Sequence, residues 1–308
     1  MTTAYISHPD CLQHDTGIGH PENARRLSAI EDRLIESGLM DLLLRVDAPE
    51  VTTEQLLRVH EVGYLDFVEQ CFPLEGHVHL DPDTVISPGS LTAARRAAGA
   101  VIAAVDRIMC GEAPNAFCAV RPPGHHAESA RAMGFCIYNN IAVGAAHALE
   151  AHDLQRVAIL DFDVHQGNGT EQIFMHDHRV LFCSTFQYPF YPGTPLLEPG
   201  GTMISVPLKF GAGGDEFRGA IRDLWLPALD RFSPEMIFVS AGYDAHADDD
   251  MSGVGLTDGD FSWVGEQILR ISRDSAESRV IFALEGGYEL GSLVRCVENH
   301  IRMLMGLN

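Results

Sequence analysis

The stretch RVAILDFDVHQGNGT, residues 156–170, decides how the rest of the chain can be interpreted. It opens with an apolar run that does not alternate with polar residues, which is typical of a strand buried on both faces of a sheet. Asp161, Asp163 and His165 follow at every second position, so on an extended strand end their side chains point to one side. Such buried charges are costly unless a cation or hydrogen-bond donors compensate them. The pattern therefore favours a metal site over the alternative, a hydrogen-bonded turn before a helix.

Similar apolar runs recur along the chain: AFCAV, RVLFCST, TMISVPL, EMIFVSAG and RVIFALEGG, which begin at residues 116, 179, 202, 235 and 279. Segments with helical periodicity, such as TDGDFSWVGEQILRISRDS, lie between them. Strands that alternate with helices predict a parallel sheet with helices on both faces. No long linker or internal repeat interrupts the pattern. We therefore expect a single domain over residues 1–308, an α/β three-layer αβα sandwich with a mainly parallel central sheet.

The composition limits the possible partners. The 308 residues are 46% hydrophobic and carry a formal net charge of −22, which disfavours nucleic acids and anionic membranes and favours small cations. We find no signal-peptide pattern and no apolar run of membrane-spanning length. The seven cysteines form no C-x-x-C pair, which excludes a cysteine-based zinc site and fits reduced thiols in a cytoplasmic protein. The oligomeric state is not readable from the sequence.

Polar motifs follow the predicted strands. RPPGHH, with His125 and His126, follows AFCAV; the acidic loop AGYDAHADDD spans residues 241–250; and EGGY ends in Tyr288. In open α/β sheets ligands bind beyond the carboxyl ends of the strands, so we expect these groups to lie at one rim. Nitrogen and oxygen ligands with one open position suit a catalytic zinc ion, with Fe(II) as an alternative. A histidine beside such an ion suits a general base.

Together these motifs resemble the zinc-dependent histone deacetylase family, which includes the acetylpolyamine amidohydrolases and has the arginase–deacetylase fold. The resemblance runs in order from HPDCLQHDTGIGHPENARRL through RPPGHHA, MGFCIYNNIAVGA, ILDFDVHQGNGT, FYPGT and SAGYDAHADDD to LEGGY. It covers nearly the whole chain, and it implies a metal-dependent amidohydrolase that acts on linear amides.

The resemblance also implies a metal ligand set. Asp163 and His165 correspond to two zinc ligands of the family, and a count from SAGYD selects Asp249 as the third. Asp250 is the alternative, because the proline that relatives usually carry after this aspartate is absent here.

The catalytic roles carry over in the same way. His126 corresponds to the family's general base and acid, supported by Asn168 where some relatives have aspartate. His125 corresponds to its electrostatic partner, oriented by Asp161. Tyr288 corresponds to the tyrosine that polarises the scissile carbonyl. The two adjacent histidines are therefore expected to do different work.

Five positions are expected along the substrate tunnel. Phe135 and Tyr191 correspond to its walls, and Gly134 leaves space between them. Ile18 is expected to add bulk at the mouth. Leu256 is expected where one polyamine-specific relative has an acidic gatekeeper.

The family also binds potassium, which we expect to be structural here. The first candidate site consists of main-chain oxygens around Asp161, Asp163 and His165 together with Ser184. A second candidate site lies near Phe174, Asp177 and Val180.

The reaction implied is zinc-dependent hydrolysis of an N-acetylated primary amine to acetate and a free amine. The net charge of −22 and the acidic HLDPDT segment with Asp81 and Asp83 favour acetylputrescine, acetylcadaverine or acetylspermidine as substrate. Acetyl-lysine in a protein is the alternative. Two other classes remain to be weighed: a dimanganese ureohydrolase of the same fold, and a non-catalytic acyl-amine-binding scaffold protein. The single Asp-x-Asp-x-His pattern and Tyr288 argue against the first, and the presence of His126, Tyr288 and the zinc ligands argues against the second.

Overall fold

The computed structural model describes residues 2–196 and 201–307. Its strands are β1 (Ala4–Ser7), β2 (Leu44–Asp47), β3 (Val78–His79), β4 (Val85–Ile86), β5 (Asn115–Cys118), β6 (Val157–Asp161), β7 (Val180–Gln187), β8 (Met203–Leu208), β9 (Met236–Ala241) and β10 (Val280–Leu284). One parallel, eight-stranded sheet has the order β2-β1-β5-β10-β9-β6-β7-β8. β3 and β4 form a separate antiparallel pair. The predicted parallel central sheet is confirmed.

The helices complete the layers. They are α1 (Arg25–Glu36), α2 (Thr53–Leu56), α3 (Val62–Cys71), α4 (Ser90–Met109), α5 (Asn140–Ala151), α6 (Asn168–Phe174), α7 (Gly214–Ala220), α8 (Leu226–Phe232), α9 (Asp258–Ser275) and α10 (Leu290–Leu304). α4 and α5 pack on each other and on the sheet, while α1, α9 and α10 form a second group that reaches the sheet through α10 and β5. In the part of the chain that the structure describes, no helix has both the length and the apolar character of a membrane span.

Burial explains which strands the sequence reveals. Strands β5, β6, β7, β9 and β10 are buried along their whole length, as their unbroken apolar sequences predict. β1 and β2, which the sequence analysis does not predict, have four residues each, and β2 lies at the sheet edge with alternate residues exposed. So short an element has too few residues to show a period.

The sheet order brings the polar motifs together. β6 lies between β9 and β7, and Asp161 at its end is opposite Ser240 on β9 and Ser184 on β7. β10 and β5 follow on the far side of β9. Because the strands are parallel, the loops that leave β5, β6, β9 and β10 start at the same edge, and these loops carry the candidate site residues.

Candidate active site

Two carboxylates and one imidazole converge just beyond β6 and β9. The ligand atoms of Asp163, His165 and Asp244 lie within 4.8 Å of one another, and all three residues are buried. Nδ1 of His165 is 3.0 Å from Oδ1 of Asp163 and 3.2 Å from Oδ2 of Asp244. A Cβ on Gly286 would lie 2.1 Å from Oδ2 of Asp244. The glycine therefore lets the backbone approach the cluster where a side chain would not fit.

The donor set fits a divalent cation. Backbone N–H groups bind both oxygens of Asp163 and Oδ1 of Asp244, but Oδ2 of Asp244 is buried and makes no well-aligned hydrogen bond. Burial and the neighbouring negative charge of Asp163 raise the pKa of Asp244 to about 6. A bound cation would coordinate Oδ2 of Asp244 and would offset the repulsion between the two carboxylates. Three nitrogen and oxygen ligands are what a catalytic zinc site requires.

The third member of this cluster is Asp244 and not Asp249, which the sequence predicts as a ligand. β9 ends at Ala241, and Asp244 is close enough along the chain to stay at the edge of the sheet. The carboxylate of Asp249 instead accepts hydrogen bonds from backbone N–H groups. The alternative, Asp250, has an exposed side chain. The ligand-type cluster therefore includes Asp244, and the carboxylate of Asp249 lies outside it.

Two other groups of ligand-type side chains occur among the described residues: Asp106 with His147 and His152, and His246 with Asp258 and Cys296. In each group a donor occupies Nδ1 of one histidine. Nη1 of Arg58 is 2.8 Å from Nδ1 of His147, and the backbone N of Asp248 is 3.0 Å from Nδ1 of His246. Such a histidine keeps its proton on Nε2, which faces the carboxylate and so is not available to a cation.

The turn RPPGHHA presents two histidines with different partners. Nδ1 of His125 is 3.0 Å from Oδ2 of Asp161, and Nδ1 of His126 is 2.8 Å from Oδ1 of Asn168. The side-chain nitrogen of Asn168 donates to Oε1 of Glu128, so its oxygen faces His126 and accepts the Nδ1–H. Nε2 of neutral His126 then carries the lone pair that can accept a proton.

The pKa values of the two histidines move in opposite directions. Burial disfavours charge on His125, but the carboxylates of Asp161 and Asp163 outweigh this effect and raise its pKa to about 10. Burial, together with the positive charges of His125 and His165, lowers the pKa of His126 well below its usual value. Near neutral pH His125 is charged and His126 is neutral, which is the state that a general base needs.

Tyr288 reaches the same place from the loop after β10. Gly287, which precedes it, has a φ of +114°, a conformation that residues with side chains rarely adopt. The guanidinium carbon of Arg26 is 5.0 Å from the centroid of the Tyr288 ring. Burial raises the pKa of Tyr288 well above its usual value. The hydroxyl therefore stays protonated and can donate a hydrogen bond to a developing negative charge.

A cavity of about 200 Å³ opens above these groups. Its lining combines polar floor residues with a largely apolar wall and consists of Asp83, Pro123, His125, His126, Gly134, Phe135, His165, Phe190, Tyr191, Met251, Gly286 and Tyr288. The rings of Phe135 and Tyr288 meet edge to face at 6.1 Å, and the rings of His165 and Phe190 stack at 5.3 Å. A cavity of this form suits a slim, linear chain with its reactive group at the inner end.

Comparison with known proteins identifies the family. The family model described as "Histone deacetylase domain" matches residues 20–304. The chain belongs to the histone deacetylase family. It is 37% identical to a histone deacetylase-like amidohydrolase of Pseudomonas aeruginosa, with 96% of this chain and 80% of that protein covered. It is 34% identical to the polyamine deacetylase HDAC10 of Homo sapiens, with 99% of this chain and 48% of that protein covered.

A solved structure supports the same conclusion. The crystal structure of the HDA15 HD domain matches with a TM-score of 0.90 at 33% identity, covering 99% of this chain and 91% of that one. The predicted arginase–deacetylase fold and the predicted hydrolase activity are thereby confirmed. The comparisons and the residues present weigh against a ureohydrolase and a non-catalytic scaffold protein.

Three of the predicted tunnel residues line the cavity of this deacetylase: Gly134, Phe135 and Tyr191. A Cβ on Gly134 would lie 2.3 Å from Cδ2 of His126, so the glycine lets the wall pack directly on that histidine. The ring of Tyr191 meets the ring of His126 edge to face at 5.2 Å. The cavity wall therefore packs directly on His126.

The other two predicted tunnel residues, Ile18 and Leu256, do not line the cavity. Leu256 is fully buried, and its N–H donates to the carbonyl oxygen of Ala245, so it belongs to the core and is not a gatekeeper. The gatekeeper expectation for Leu256 is therefore wrong. Ile18 is fully exposed and borders a surface depression with His77 and His79. Its neighbours Gly17 and Gly19 line another depression together with Met251 and Tyr288, so its place at the mouth stays a prediction. The residue of this region that lines the cavity is Met251.

Sequence reasoning missed a buried carboxylate beneath the histidine turn. Oε2 of Glu285 accepts the N–H groups of Gly124 and His125 at 2.6 and 3.2 Å, and Oε1 accepts the hydroxyl of Ser240 at 3.1 Å. Burial raises the pKa of Glu285 to about 7. The available signal was a charged residue directly after the buried strand in LEGGY. Glu285 fixes the backbone that presents the histidines.

The residues predicted for potassium fall in two places. Asp161 and Ser184 are opposite each other on β6 and β7, and Oγ of Ser184 is buried without a hydrogen-bond partner. Phe174, Asp177 and Val180 form the turn from α6 to β7, where the carbonyl oxygens of Phe174 and Asp177 accept N–H groups at 2.9 and 3.1 Å. The first place therefore has an unsatisfied oxygen.

Proposed function

We propose that this deacetylase hydrolyses N-acetylated linear amines, preferentially acetylated polyamines, with a zinc ion at Asp163, His165 and Asp244. The observation that carries the hydrolytic part is the convergence of these ligands, neutral His126 and protonated Tyr288 on one cavity. These three residues would hold a zinc ion, which would supply a Lewis acid for the acetamide carbonyl and for the attacking water.

The side chains of the protein account for the proton transfers. Nε2 of His126 accepts a proton from the water as its oxygen attacks the carbonyl carbon. The hydroxyl of Tyr288 donates a hydrogen bond to the carbonyl oxygen as negative charge develops on it; one such donor contributes roughly 3–4 kcal/mol. His126 then gives its proton to the leaving nitrogen while the C–N bond breaks. His125, charged beside Asp161, offsets the negative charge throughout, and acetate and a free amine leave.

Acidic groups near the cavity support a cationic substrate. Asp83 lines the cavity, and Oδ1 of Asp83 accepts the N–H of Gly134 at 3.1 Å. Burial and the adjacent Asp81 raise the pKa of Asp83, which means that its charge is poorly compensated. An ammonium group at the far end of an acetylated polyamine would compensate it. The net charge of −22 attracts the same cation over a longer range.

The test compares substrates that differ in one charge. We expect kcat/KM for N-acetylputrescine to exceed that for N-butylacetamide, which has the same stem without the ammonium, by about fivefold or more. N-acetylcadaverine, N-acetylspermidine and an acetyl-lysine peptide complete the panel. A peptide that is cleaved faster than every acetylated polyamine would make protein acetyl-lysine the substrate instead.

The matched variant is Asp83→Asn, which keeps an oxygen for the N–H of Gly134 and removes only the charge. We expect the ratio of kcat/KM for N-acetylputrescine to kcat/KM for N-butylacetamide to fall by about threefold or more. The value of kcat/KM for N-butylacetamide itself should stay near that of the wild type. Equal losses for both substrates would show that Asp83 maintains the cavity and does not recognise charge.

We also propose a structural potassium ion at the main-chain oxygens of Asp161, Asp163 and His165, with the unpaired Oγ of Ser184 as a further ligand. A weaker second site would use carbonyl oxygens near Phe174, Asp177 and Val180. A higher Tm in potassium chloride than in sodium chloride, lost in Ser184→Ala, is the expected result. An equal Tm in both salts would contradict the proposal.

The proposed location is the cytoplasm. All seven cysteines are free thiols, and five of them are buried. Unpaired thiols persist in a reducing compartment. Fractionation of cells that express the chain, followed by immunoblotting, tests the location.

A further inference from the structure

The carboxylate of Asp249 binds the backbone at two places that line the cavity. Oδ2 accepts the N–H groups of Tyr288 and Glu289 at 2.6 and 2.9 Å, and Oδ1 accepts the N–H of Met251 at 3.0 Å. The residue is only 4% exposed. One buried carboxylate thus joins the loop that carries Tyr288 to the loop that carries Met251.

The segment that carries Tyr288 needs such an anchor. Tyr288 follows two glycines and lies just before α10, so neither the β10 ladder nor the helix fixes its backbone N–H. Nε and Nη2 of Arg26 hold the carbonyl oxygens of Gly287 and Glu285, but these contacts act on the preceding residues. The acceptor that the structure gives to the N–H groups of Tyr288 and Glu289 is Asp249.

We propose that Asp249 is a positioning residue that acts through Tyr288. Its carboxylate sets the backbone from which the Tyr288 side chain extends, and hence the place of the hydroxyl relative to the substrate carbonyl. This inference rests on the proposed role of Tyr288 in the deacetylation. It assigns a function to an aspartate that lies outside the metal cluster and yet is buried beside it.

The expected effect is on turnover. A misplacement of about 1 Å in a catalytic group can cost about a hundredfold, so partial release of the loop should lower kcat by about ten- to fiftyfold. KM should change by less than about threefold, because, among the apolar wall residues that the structure describes, only the Met251 backbone depends on Asp249, whereas Phe135, Phe190 and Tyr191 belong to other loops. Asp249→Asn keeps the shape of the side chain but turns an NH₂ group toward at least one of the three N–H donors. Asp249→Ser, which is smaller, is a second variant should the first not fold.

The experiment combines two readouts on the purified full chain. The first is hydrogen–deuterium exchange of the Tyr288 and Glu289 amides, which needs neither metal nor turnover. The second is a double-mutant cycle between Asp249→Asn and Tyr288→Phe, with bound metal measured in every variant. Asp248→Asn is the control, because the Asp248 carboxylate is exposed and pairs with Arg295 at 3.0 Å.

The expected result is faster exchange at both amides and a loss of kcat that nearly disappears in the Tyr288→Phe background, with metal content unchanged. Unchanged exchange, or losses that multiply in the double variant, would overturn the inference. Loss of metal in Asp249→Asn would overturn it as well and would make Asp249 a ligand. If Tyr288→Phe alone were fully active, the proposed reaction would be wrong, whereas the exchange result would still report on the anchor.

Discussion

The floor and the mouth of the cavity are built by different means. At the floor, Asp163, His165 and Asp244 lie within a few residues of the ends of β6 and β9, and backbone N–H groups hold their carboxylates. At the mouth, Asp83 and Met251 belong to loops outside the sheet. The sheet topology thus places the ligand-type side chains of the floor, whereas the loops at the mouth are positioned by a few single contacts.

The largest effect that tests this comparison is expected at the floor. Asp244→Asn removes one ligand charge, so bound metal should be lost and acetate release should fall by about a thousandfold or more. Elemental analysis after dialysis and an acetate assay measure the two effects. Asp250→Asn, with an exposed side chain in the same loop, should keep its metal. If Asp250→Asn lost its metal and Asp244→Asn kept it, the ligand would be Asp250 and not Asp244.

The second test separates the two histidines of the floor. His126→Ala should lower kcat by about a hundredfold or more with metal retained, since it removes the group that moves protons. His125→Ala should cost less, because it removes a neighbouring charge and leaves the base in place. If His125→Ala lost as much activity as His126→Ala or more, His126 would not be the residue that transfers the protons.

Much of the floor could be predicted from the sequence, because a strand end is a local feature. Asp163, His165 and the histidine pair follow apolar runs directly, and parallel strands bring such ends together. The third carboxylate could not be found by counting, because AGYDAHADDD offers four aspartates and the turn after Asp244 is a tertiary feature. The better criterion was its closeness to the end of β9, the neighbour of β6.

The third test concerns Tyr288, which joins floor and mouth. Tyr288→Phe removes one hydrogen bond to the developing oxyanion and should lower kcat by about a hundredfold, with KM and metal content little changed. Steady-state kinetics with N-acetylputrescine and elemental analysis check this. Near-wild-type turnover would show that the hydroxyl does not take part and that the floor alone performs the reaction.

The mouth was harder to predict, because its residues are brought together by contacts between distant parts of the chain. Leu256 carries an apolar side chain in a polar loop, and the structure shows that it is fully buried in the core while its backbone pairs with Ala245. Ile18 lies in an exposed turn that borders its own depression. Asp83 reaches the cavity through its bond to Gly134, between residues far apart in sequence. The hydrophobic periodicity of a local segment carries no information about such contacts.

The smallest expected effect lies at the mouth of the cavity. Met251→Glu adds a negative charge to the cavity lining, whereas Ile18→Glu adds the same charge on an exposed turn outside it. An exposed ion pair contributes about 1 kcal/mol at most, so Met251→Glu should raise the preference for N-acetylputrescine over N-butylacetamide by about two- to fivefold. Ile18→Glu should change that ratio by less than about twofold, because a fully exposed charge is screened by solvent and salt. Equal shifts in the two variants, measured as kcat/KM ratios at one ionic strength, would place the Ile18 turn at the mouth after all.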